Sequence, residues 1–179
     1  GMIMDATERT RGNHPGVIDY KGKSYVFGLS YDLLKMKTTD FYERRSSMVS
    51  EMTYNPDGPI RTVPYWPDSG VEQIETLDPY RRTEAETMAW GEWLKTARSP
   101  QVGMYVTSVH SGDYIRLRGV DFRLGARSFA IRAASGSAGG KIEIRLDSRE
   151  GTLLGVCEIG NTGGWDAWKS FTTQVEKVR

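Results

Sequence analysis

In the second half of the chain, apolar and polar residues alternate with a period of two, segment after segment. Ser128–Ala134 (SFAIRAA) puts Phe129, Ile131 and Ala133 on one side, and Lys141–Asp147 (KIEIRLD) aligns Ile142, Ile144 and Leu146 against Glu143 and Arg145. Asp113–Asp121 (DYIRLRGVD) separates Ile115 and Leu117 from Tyr114, Arg116 and Arg118 in the same way. Side chains two apart share a face in an extended strand, so repeated alternation implies sheets with one face buried. Glycine-rich breaks at 135–140 (SGSAGG), at Glu150-Gly151 and at 161–164 (NTGG) keep the strands short, the pattern of a sandwich or barrel. Phe171–Val178 reads as one more strand.

The first half has a different grain. Val17–Tyr20, the turn Lys21-Gly22-Lys23 and Ser24–Leu29 make a hairpin candidate. A polar stretch follows at Lys35–Arg45, and then Ser47–Tyr54 reads as a strand closed by the turn Asn55-Pro56-Asp57-Gly58. Five of the seven prolines fall at 56, 59, 64, 67 and 79. Proline cannot donate to a strand ladder, so Asn55–Tyr80 is expected to be a connector, with a domain boundary near Pro79.

Charge and cysteine content exclude several function classes. Lys+Arg 24 against Asp+Glu 23 leaves a net charge of +1, too little basic excess for a phosphate backbone. The 179 residues contain no apolar run of the length a spanning helix needs, about 18 residues, and GMIMDATERTRG has no apolar signal core. Neither nucleic acid nor membrane is therefore an expected partner. Cys157 is the single cysteine and His14 and His110 are the two histidines, which excludes an intrachain disulfide and a Cys/His zinc cage.

Candidate functional residues are few. Glu84 and Glu86, in Arg82–Ala89 (RTEAETMA), would point both carboxylates to one face if this segment were a strand, as hard oxygen ligands for Ca²⁺ or as a solvated face. Trp165 follows Thr162-Gly163-Gly164, where a glycine-rich turn can expose an indole, and Trp168 comes three residues later. Tyr105 stands at the start of a short strand. Flat aromatic faces accept the C–H groups of pyranose rings, while phenol and indole polar atoms reach hydroxyls. No nucleophile elbow, phosphate loop or distinctive pair of acids marks a catalytic centre.

Several runs resemble carbohydrate-binding module family 6: RTEAETMA (82–89), SGDYIRLRGVDF (111–122), AASGSAGGKIEIRLDSREGTLLGVCEIGNTGGWDAW (133–168) and FTTQV (171–175). The runs NHPGVIDYKGKSYVFGLSYDL (13–33), ERRSSMVSEMTYNPDGPI (43–60) and LDPYRRTEAETMAW (77–90) resemble the tail of glycoside hydrolase family 43 enzymes to which such modules are fused. The resemblance implies an all-β protein. Residues 79–179 would be a jelly-roll β-sandwich, and residues 1–78 a hairpin or propeller-blade remnant plus connector.

By the same resemblance, Tyr105 and Trp165 match an aromatic pair that sandwiches a sugar, and Tyr114 matches an aromatic of a second cleft. Glu84 and Glu86 match a structural calcium site, and His14 a propeller-axis histidine expected here at the surface. Ala97 stands where some members carry a sugar-assisting Glu. Two further strands in the family, past Val175, imply an open sheet edge here. Strands from residues 14–54 or a second copy of the chain would cover it. The expected function is non-catalytic binding of xylan or arabinoxylan in an extracellular or periplasmic setting. Its alternatives are a family 43 arabinofuranosidase or xylosidase fragment that works only with its catalytic blades, and a structural fragment that binds no sugar.

Overall fold

A two-residue turn, Lys21-Gly22, closes the first hairpin, with φ of 49° and 79°. Both values lie in the left-handed region, and turns of this kind match the twist of the flanking strands β1 (Gly16–Tyr20) and β2 (Lys23–Ser30). β3 (Ser46–Met52) pairs antiparallel on the other side of β2, giving the order β1-β2-β3. A short helix, α1 (Asp32–Lys37), follows β2; Ser30 Oγ accepts the Asp32 N–H at 3.0 Å. From Lys35 onward the sequence pattern shows only a polar stretch. The computed structural model describes residues 3–4, 14–37, 39, 46–66 and 70–178, so the rest of the expected polar segment lies outside the described residues.

In the proline-rich segment, the residues up to Trp66 pack instead of serving as a connector. Tyr54 bridges Ile60 across the Asn55–Gly58 turn, and Val63 bridges Met4. Val63 and Trp66 are buried with Val26 and Met52 in one apolar cluster. Pro59 and Pro64 flank these pairing residues without occupying them, so the ladder loses no donor and the segment packs. By contacts the chain divides into two compact units, residues 1–73 and 74–179.

The second unit opens with residues 77–80 tied to a later loop. Leu77 bridges Val120, and the Tyr80 hydroxyl donates to the carbonyls of Phe122 and Gly125. A 3-10 turn, η1 (Ala85–Thr87), precedes four antiparallel pairs. These join β4 (Trp90–Glu92) to β7 (Tyr114–Arg116), β5 (Lys95–Ser99) to β6 (Gly103–Thr107), β8 (Ala126–Ser135) to β11 (Gly164–Val178), and β9 (Gly140–Arg145) to β10 (Leu153–Ile159). The result is an all-β jelly-roll sandwich.

Leu154, Cys157, Ile159 and Val178 are its buried apolar side chains, and β10 lies against β11, where Thr173 Oγ1 donates to Val156 O at 2.9 Å. Burial, and then the charge of Glu158, pushes the Cys157 thiol up and keeps it protonated. β8 and β9 follow the alternation read from sequence, with Phe129, Ile131, Ile142 and Ile144 turned inward and half-buried. The expected strand over 113–121 shrinks to three residues. Gly119 turns with φ 58°, and Val120 pairs with Leu77, which leaves Ile115 and Leu117 exposed. The strand expected at Phe171–Val178 starts earlier, at Gly164.

Candidate functional site

The NTGG turn is a built platform. Asn161 Oδ1 accepts the Gly163 N–H at 2.7 Å, the side-chain turn that Asn favours. Thr162 is buried and clasps β8: its N–H donates to Ser135 O at 2.9 Å, and its Oγ1 accepts the Ser135 N–H at 2.8 Å. β11 starts from this clasp with Gly164 opposite Ser135, yet the next pairs are Lys169 with Ala133 and Ser170 with Arg132. Residues 165–168 therefore bulge out opposite Ala134 alone. Such a bulge re-aims side chains that a regular ladder would point up and down alternately.

Trp165 is 69 % exposed in this bulge. Its indole lies on the backbone of Gly136, where an added Cβ would be 2.8 Å from Nε1 and 2.9 Å from Cε2. Gly136→Ala must therefore swing the indole away from its present seat. We expect the variant to melt within about 2 °C of the parent but to bind any ligand of Trp165 several-fold more weakly, to be checked by calorimetry and titration. An unchanged affinity would mean that this seat does not matter.

Tyr105 lies on β6 opposite Ala97 of β5. Its ring packs edge-to-face with that of Trp168, with centroids 5.0 Å apart and planes at 75°. Edge-to-face packing of this kind is worth about 0.5–1.5 kcal/mol beyond area burial. Trp168 thus joins the bulge that carries Trp165 to the strand that carries Tyr105. Its Nε1 is buried without a hydrogen-bond partner. The sequence alone gives Trp168 no role. The signal was its spacing from Trp165, three residues, which in a regular strand would put the two on opposite faces.

Tyr114 begins β7 opposite Glu92. The Arg149 guanidinium lies 5.1 Å from its ring centroid, a cation–π contact that covers one face of the ring.

The two acids expected to share a strand face do not lie on a strand. Glu84 caps η1 and Glu86 sits inside it, so the period-two argument fails for this pair. Glu84 is exposed and bridged by Arg82 at 2.9 Å. Glu86 is half-buried, and its Oε2 is buried without a hydrogen-bond partner. An orphaned carboxylate oxygen of this kind fits a hard cation, which would supply the missing partner. Among the described residues no group of three or more His, Cys, Asp and Glu forms a metal cluster, so further donors would be carbonyls or water. His14 is exposed.

Residues 84–179 match the model of the carbohydrate binding module (family 6). An arabinoxylan arabinofuranohydrolase of Bacillus subtilis (strain 168) is 42 % identical over 139 residues, which is 73 % of this chain and 26 % of that enzyme. A glycoside hydrolase family 43 arabinoxylan arabinofuranohydrolase from Bacillus subtilis, solved in complex with cellotetraose, superposes with a TM-score of 0.83 at 37 % identity, covering 91 % of this chain and 34 % of that one. A family 6 carbohydrate-binding module from Clostridium cellulolyticum, in complex with xylose, gives a TM-score of 0.55 at 37 % identity over 57 % of this chain and 79 % of that one. The chain thus spans about a quarter of the length of the arabinofuranohydrolase it matches.

Proposed function

The chain belongs to carbohydrate-binding module family 6 through residues 84–179, and from that premise we propose that it binds a plant polysaccharide of the xylan or arabinoxylan class without cleaving it. The observation that carries this reading is the open indole of Trp165, held by a buried Thr162–Ser135 clasp. A pyranose ring would lay its C–H face on that indole, and Tyr105, fixed by Trp168, would close on the other side. Ala97 opposite Tyr105 brings no carboxylate to the ring's flank, so hydrogen bonds to hydroxyls would come from the aromatic polar atoms and loop backbone. One stacked sugar and a few hydrogen bonds give weak affinity, with dissociation constants on the order of 0.1–1 mM for a short oligosaccharide.

The xylan class is favoured by the similarity to an arabinoxylan hydrolase and to a module solved with xylose. Such a partner implies an extracellular or periplasmic setting; no helix among the described residues is long and apolar enough to cross a membrane. Residues 1–78 fit a piece of the family 43 propeller in which the segment up to Trp66 packs, with any connector confined to residues 70–78. The test is native electrophoresis in gels containing soluble arabinoxylan, β-glucan or no polysaccharide. Retardation by arabinoxylan is the expected result, and equal mobility in all three overturns the reading.

We also infer a structural calcium at Glu86, whose buried oxygen lacks a partner. Glu84 would have to leave Arg82 to join it. Bound only to the folded state, such an ion raises stability by mass action and takes no part in chemistry. A chelator is expected to lower the melting temperature by several degrees, and added calcium to restore it. Identical melts with and without chelator remove the ion from the molecule.

A further inference from the structure

Arg149 stands in the turn between β9 and β10, and that turn is internally stitched. Leu146 N–H donates to Thr152 O at 3.1 Å, and Gly151 N–H to Ser148 O at 3.1 Å. Arg145 Nη1 donates to Gly151 O at 2.8 Å. A Cβ at Gly151 would lie 1.8 Å from Leu146 O, so glycine alone fits this closure. The Arg149 backbone is therefore presented with little freedom.

The guanidinium rests on the Tyr114 ring, with Nη2 beside Gly112, where a Cβ would be 3.8 Å away. The ring face it covers is closed to a neutral sugar. Two acids of adjoining segments are engaged elsewhere. The Asp113 carboxylate, 7 % exposed, accepts the His110 N–H at 2.8 Å and lies 3.4 Å from His110 Nδ1. Glu143 is bridged by Arg145 at 2.8 Å. Among the described residues Arg149 has no carboxylate partner. A planar guanidinium pinned on an aromatic ring keeps its outer N–H edge free, and that edge matches a carboxylate bidentately.

We propose that the Tyr114–Arg149 stack binds the carboxylate of a uronic acid, so that the module prefers polysaccharide chains bearing acidic sugars to bare chains. This rests on the polysaccharide reading above and adds a second contact point to it, with a charge in place of a second stacking face.

Isothermal titration with a neutral xylo-oligosaccharide and with the same oligosaccharide carrying one glucuronic acid tests it. The expected result is roughly fivefold to tenfold tighter binding of the acidic ligand, the effect of one charge-assisted contact at an open site. Raising the salt to about 0.5 M should shrink that ratio. In Arg149→Gln the ratio should fall to about one at a parental melting temperature, and in Arg149→Lys to an intermediate value, because the ammonium keeps the charge and loses the fork. Equal binding of both ligands by the parent overturns the site while leaving polysaccharide binding intact. So does an undiminished ratio in Arg149→Gln. Failure of both ligands to bind overturns the polysaccharide reading and this site with it.

Discussion

Trp165→Ala is expected to abolish retardation in arabinoxylan gels and to weaken oligosaccharide binding by about 30-fold or more, the roughly 2 kcal/mol typical of a dominant aromatic contact. The same change should leave folding almost untouched. The indole is 69 % exposed and its backbone is held by the clasp below it, not by its own packing. A surface substitution of this kind shifts stability by about 0.5 kcal/mol or less. Parallel affinity electrophoresis and calorimetry separate the two effects. Parental retardation of the alanine variant would end the role given to this residue.

Trp168→Ala should act in the opposite order, through the fold first. Removing a half-buried indole takes away its contact with Tyr105 and opens space between the bulge and β6. Truncation of a fully buried aromatic costs about 3–5 kcal/mol, so a partly exposed one is expected to cost about 2 kcal/mol, a fall in melting temperature on the order of 10 °C for a unit of this size. Sugar affinity should also fall roughly fivefold at a temperature where the variant is folded, because Tyr105 loses the ring contact that orients it. Trp168→Phe retains an aromatic ring and removes the unpartnered indole N–H. It should therefore recover most of both losses. If alanine at 168 melts and binds like the parent, the coupling between bulge and strand is absent.

Both predictions turn on a feature visible in the sequence only by its composition. NTGG announces a turn, and an aromatic after it announces exposure, so Trp165 could be picked out directly. The clasp that makes the turn rigid depends on Thr162 meeting Ser135, residues 27 apart, and spacing does not reveal such a meeting. The Glu84/Glu86 pair shows the converse error. Two acids two apart share a face in a strand, but their segment coils into η1, which sends one to Arg82 and buries an oxygen of the other. Tyr114 shows a third case, in which the residue lies on a strand as its alternation suggests but Arg149, from a separate turn, covers one face of the ring.

The hairpin β1–β2, the turn at Asn55–Gly58 and the inward faces of β8 and β9 were determined by the sequence alone, because period-two patterning and turn residues act within a few residues of one another. The packing of Val63 and Trp66, the exposure of Ile115 and Leu117, the bulge at 165–168, the partners of Tyr105 and Tyr114 and the burial of a Glu86 oxygen were decided only by the tertiary structure. Each depends on which distant segment arrives beside a residue. That is set by the balance of burial and hydrogen bonding over the whole fold, which local pattern does not encode.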